Sequence, residues 1–120
     1  MRDLLKGRKF QTWLYSVSHG SLLLRSPATN EFPKNVDIVF VGVEYMSIPR
    51  HFHEILICEP GHDEMELLRS MVGENLKNEE IKVLFDSGKR YLVVSSGMKI
   101  EENDLDLFEY SFDLGARDAL

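Results

Sequence analysis

Apolar and polar positions alternate over much of the chain, and one segment is apolar on both of its faces. In residues 36–46, Val36, Ile38, Phe40 and Met46 share one parity, while Val39, Val41, Val43 and Tyr45 share the other. A strand apolar on both parities is expected to be covered on two sides. Its β-branched and aromatic residues favour strand over helix, and Gly42 marks a bulge or a close backbone approach. Asp37 is the polar side chain that enters the run near its start. The segment reads as the central strand of a small core.

The flanking patterns are shorter. Trp13, Tyr15 and Val17 alternate with Thr12, Leu14, Ser16 and Ser18, then His19 and Gly20 interrupt before an apolar run at 21–26. Two strand-like runs around a glycine break predict a hairpin. Pro27 to Pro33 reads as loop, Pro49 ends the central strand, and residues 50–57 resume as another. After Pro60 and Gly61 the period changes: Met65, Leu68, Val72 and Leu76 are spaced by three or four. That spacing predicts a helix at about 63–73, with Asp63 as its cap, Glu66 three residues on and Gly73 as its stop. A charged loop covers 74–80. Residues 81–85 and 90–96 form a second hairpin around Asp86-Ser87-Gly88-Lys89. Residues 98–100 pair again, and 101–104 form an acidic turn. Residues 105–114 fit either a strand or a helix, and their aromatic alternation favours the strand.

These elements predict an α+β, mainly β fold. Its form is an antiparallel curved sheet or partly open barrel of about seven or eight short strands with one short helix. The 120 residues fit a single domain, 1–120, with 1–8 and 115–120 as flexible termini. Hydrophobic content of 43% and charged content of 28% are those of a globular protein that builds its core without staples. Cys58 is the single cysteine, so no internal disulfide forms. No apolar run approaches the roughly 20 residues of a membrane-spanning helix. The basic start lacks an apolar stretch behind it, which argues against a signal peptide and for a cytoplasmic location.

Charge narrows the partners. The net charge is −6, and the excess lies in the second half: residues 1–60 carry seven Lys/Arg against six Asp/Glu, residues 61–120 seven against fourteen. Such a balance disfavours non-specific binding to nucleic-acid phosphates. Arg2, Lys6, Arg8 and Lys9 form the one basic cluster, read as a solvated terminus. Glu101, Glu102, Asp104, Asp106 and Glu109 make a carboxylate-rich end suited to attracting a basic protein partner. Their spacing is not that of an EF-hand loop.

Candidate chemistry is sparse. His51 and His53, two apart in a strand, would present both imidazoles to one divalent metal, with His62, Glu59 or Asp63 as a third ligand. The His-X-His followed by Glu partly resembles a cupin-type metal motif, although Glu59 lies five residues past His53 and the expected upstream glycine is missing. Ile55 and Ile57 share the histidines' parity, which fits the rim of a core face instead. Ser18-His19-Gly20-Ser21 reads as a hairpin turn, because Ser16 replaces the first glycine of a nucleophile elbow. Cys58 reads as a buried, inert thiol. Trp13, Tyr15 and Phe10 read as core residues.

Residues 13–20, 22–27 and 37–40 together resemble small bacterial proteins to which no activity is attached. The resemblance covers about the first half of the chain and implies a bacterial cytosolic origin without a mechanism. The sequence therefore points to a small, cytosolic, non-enzymatic interaction protein whose acidic C-terminal half engages a partner, for example an immunity-type protein neutralising a basic toxin. The alternative is a metal-binding or metal-dependent β-fold enzyme using His51, His53 and His62. A homo-oligomer pairing edge strands or a sheet face is a third expectation.

Overall fold

The structure, a computed structural model, describes residues 3–106. Among them are nine strands: β1 (Phe10–Ser16), β2 (Ser21–Ser26), β3 (Asn35–Val41), β4 (Tyr45–Ser47), β5 (His51–Phe52), β6 (Leu56–Cys58), β7 (Ile81–Asp86), β8 (Lys89–Val94) and β9 (Gly97–Asn103). One helix, α1 (His62–Val72), and a 3-10 turn at Asn78–Glu80 separate β6 from β7. The strands form two antiparallel sheets, a five-stranded one in the order β5-β1-β2-β3-β9 and a four-stranded one in the order β4-β8-β7-β6. The fold is α+β and mainly β, and neither sheet closes into a barrel.

The main core is drawn from both sheets. Phe10, Leu22, Leu24, Ile38 and Phe40 of the larger sheet cluster with Leu84 and Val93 of the smaller one, and Phe52 and Ile55 join them. Phe52 meets Tyr91 edge to face, with ring centroids 5.7 Å apart. A second cluster joins Leu68 and Leu76 to Ile81 and Val94, so α1 is fastened to the smaller sheet. β7 serves both clusters, Ile81 in one and Leu84 in the other. β3 is buried from Asn35 to Phe40, as its two apolar parities predict.

Four local expectations change. The long central strand ends at Val41, because Gly42 takes a positive φ of 63° and turns the chain out of the larger sheet. Residues 45–47 then pair with β8 in the smaller sheet. The strand expected over 50–57 is two short strands, since the Asp86 carboxylate takes the amides of His53 and Glu54. The acidic turn expected at 101–104 is instead mostly strand: Glu101, Glu102 and Asn103 continue β9 opposite Asp37, Val36 and Asn35. In β1 a bulge between Thr12 and Leu14 breaks the alternation. Trp13 stacks at 5.5 Å on Arg25, while Tyr15 packs on the main core.

The helix runs as the spacing predicts, but its cap differs. Gly61 is the N-cap, and Glu64 accepts its amide at 2.7 Å, in place of the Asp63 and Glu66 arrangement. The β7–β8 turn puts Ser87 at φ 53° and Gly88 at φ 84°, the two positive values of a type I′ hairpin. At the start of the described chain, Leu5 and Arg8 are buried, within the stretch expected to be a loose terminus. Residues 107–114 of the last expected strand, Glu109, and the tail at 115–120 lie outside the described residues.

Candidate functional site

The segment 3–8 borders two clefts, with Asp3 and Lys6 in the lining of both. It is held by Glu54, whose carboxylate accepts the Gly7 amide at 2.6 Å.

The larger cleft, about 540 Å³, is lined by Lys6, His53, Glu54, Leu56, Phe85 and Asp86. Asp86 is its fixed point. Its side chain is buried and accepts three bonds, from His53 N (2.8 Å), Glu54 N (3.2 Å) and the Ser87 hydroxyl (2.9 Å). Desolvation is the largest single influence on this carboxyl and raises its pKa, yet the bonds from His53 N, Ser87 and Glu54 N together outweigh it and leave the pKa lowered. The His53 ring is exposed, with Nδ1 4.0 Å from Asp86 Oδ2, too far for a hydrogen bond. Ser87 donates to Asp86, so these three groups hold the loop against the hairpin and do not form a proton relay to a serine.

The smaller cleft, about 470 Å³, is lined by Leu4, Arg8, Phe32, Pro33, Lys34 and Glu102 among others. Arg8 is 4% exposed. Its Nη2 donates to the Lys34 carbonyl at 2.5 Å and its Nη1 to the Ser26 carbonyl at 3.4 Å. Its guanidinium stacks on Phe32 at 4.6 Å, and its Nε is buried without a partner among the described residues. Burial lowers the Arg8 pKa, and the field of Glu102 opposes that shift.

The histidines of the sequence reading are dispersed. His51 lies exposed on β5 opposite Gln11, His53 faces Asp86, and His62 opens α1 and pairs with Glu66 one turn on. The strand ends at Phe52, so the parity that would have aligned His51 with His53 does not extend to His53. Among the described residues no three His, Cys, Asp or Glu side chains are grouped to hold a metal ion. At the β1–β2 turn, Ser18 Oγ lies 3.0 Å from His19 Nδ1, both residues exposed, a local turn contact. Cys58 is half-buried.

The acidic end is brought together by β9. Glu101 is half-buried with Lys99 Nζ 3.0 Å away, and Glu102 is exposed at the mouth of the smaller cleft. Asp104 is exposed with Lys34 Nζ at 3.9 Å, and the Asp106 carbonyl accepts from Arg25 Nη1 at 3.2 Å. Behind them Arg25 and Asp37 form a buried pair, and Asn35 and Asn103 tie residues 103–105 to it.

Arg8, Glu54 and Asp86 were not singled out as site residues from the sequence. Asp86 opens a Ser-Gly turn, a position where a carboxylate commonly takes nearby amides, so a signal for it was present. Arg8 carried none, since a cation in a basic terminal cluster reads as solvated. Comparisons with family models, with curated proteins and with solved structures find no significant match.

Proposed function

We propose that this protein is a non-enzymatic interaction module that presents an acidic face to a basic protein partner. The observation that carries the reading is the placement of Glu102, Asp104 and Asp106. All three are exposed and alternate along the chain, Glu102 on the outer strand of the larger sheet and Asp104 and Asp106 just past its end. Carboxylates arrayed this way steer a basic surface into contact and set its register, which raises association rates more than it deepens affinity. The buried Arg25–Asp37 pair and its asparagines give that face a rigid backing. Neutralisation of a basic toxin is one form such binding takes.

The test is capture of proteins from the producing cell on the immobilised chain at low and moderate salt, beside a variant carrying Glu102→Lys, Asp104→Lys and Asp106→Lys. The reading expects a basic protein that is released as salt rises and is not retained by the variant. Retention of the same proteins by both chains, independent of salt, contradicts it.

A further inference from the structure

The larger sheet ends on β9, a strand of seven residues, whereas the strands at the other three sheet edges, β5, β4 and β6, span two or three. All seven residues of β9 pair with β3 without a register shift, and none is a proline, so its outer edge is regular. Among the described residues no strand pairs with that edge. The chain leaves β9 by another route. Asn35 Nδ2 donates to the Leu105 carbonyl at 2.6 Å and Arg25 Nη1 to the Asp106 carbonyl at 3.2 Å, which carries residues 105–106 over β3 toward β2. Main-chain groups along a long, regular edge are a template for a further strand, and charged side chains decide which strand can use it. Here those charges are Lys99 and Glu101, on one face of β9 with Nζ and Oε1 3.0 Å apart. Opposite charges two residues apart make the edge complementary to itself.

We infer that β9 pairs antiparallel with β9 of a second copy of this chain, about a two-fold axis through Ile100. In that register each Lys99 stands opposite Glu101 of the other copy, so two cross-strand ion pairs flank the axis. A slip of two residues sets Lys99 against Lys99 or Glu101 against Glu101, and a slip of one reverses the facing of the second copy. The net charge of −6 does not forbid the contact. Glu102 falls opposite Met98 and lies four positions along the strand from its symmetry mate, about 14 Å. That exceeds the Debye length of roughly 8 Å at physiological salt, while the unlike charges are direct neighbours. The contact uses the face of β9 opposite to Glu102, and it stands whether or not the acidic end binds a partner.

The test is the mass of the full chain by sedimentation equilibrium at about 100 μM, a concentration suited to so small an interface. The expected mass is that of a dimer. Lys99→Glu and Glu101→Lys each set like charges across both pairs and are expected to weaken self-association by about tenfold or more. An equimolar mixture of the two variants is expected to restore the dimer, because their reversed charges complement each other. The Lys99 side chain is more than half exposed, so Lys99→Glu leaves the fold intact, which circular dichroism checks. That variant decides the question alone if Glu101→Lys does not fold. A monomeric parent chain, a Lys99→Glu dimer as tight as the parent, or a mixture of folded variants that stays monomeric would each overturn the inference.

Discussion

Arg25 and Asp37 meet across β2 and β3 with at most 1% of either side chain exposed, joined by bonds of 2.7 and 3.0 Å. Two charges lose their hydration there, and only a bidentate, fully bonded geometry repays that loss. Asp37→Ala removes the carboxylate that neutralises Arg25. It is expected to lower unfolding free energy by about 3–5 kcal/mol in urea titration, while the double change Arg25→Met with Asp37→Leu recovers most of it. A cost for Asp37→Ala under about 1 kcal/mol would show that the pair contributes no more than a surface bridge. Asp86 governs acid behaviour. Its folded pKa lies below the ordinary 3.8, so its bonds stabilise the fold above that value and are lost as pH falls through the folded pKa. Asp86→Asn should therefore flatten the decline in stability below about pH 3.8, measured by chemical unfolding across that range. Identical slopes in the two proteins would remove Asp86 from the account.

At the scale of elements, Gly42 decides where one strand stops and the other sheet begins. A Cβ built there falls 2.3 Å from Ser96 Oγ, and the φ of 63° is one that side-chain-bearing residues rarely adopt. Gly42→Ala is expected to cost more than about 1 kcal/mol in thermal or chemical unfolding, with partial recovery when Ser96→Gly is added. A neutral Gly42→Ala would mean that the crossing is not held by this contact. Alternation made β3 legible, because both parities of 36–40 are apolar and both are buried. The Ser87–Gly88 hairpin was equally legible, since a type I′ turn demands positive φ at both positions. The passage from β3 to β4 was not, because a period of two continues across Gly42 whichever sheet the next residues join. The β1 bulge escaped for a related reason: one inserted residue reverses the facing of Trp13 relative to Tyr15 without altering the composition. The His51/His53 alignment assumed a strand through 53, and the Asp86 carboxylate ends it at Phe52.

For the whole molecule, the fold buries charges of both signs and leaves the acidic end exposed. Arg8 and Arg25 are withdrawn into the fold, whereas Glu102, Asp104 and Asp106 remain at the surface. The two buried cations are matched in number by two buried carboxylates, Asp37 and Asp86, so among the described residues burial leaves the acidic balance of the surface unchanged. The acidity was legible from counting, but its backing by a buried Arg–Asp–Asn network was not, because its bonded pairs lie 12 to 68 residues apart in sequence. No helix among the described residues is long and apolar enough to cross a membrane. The most direct test of the interaction reading is the paired capture from producing-cell lysate with the parent chain and the Glu102→Lys, Asp104→Lys, Asp106→Lys variant, each washed with rising salt. The account predicts a basic protein on the parent alone, eluting as ionic strength rises. An empty parent column, or the same salt-resistant proteins on both, would contradict it.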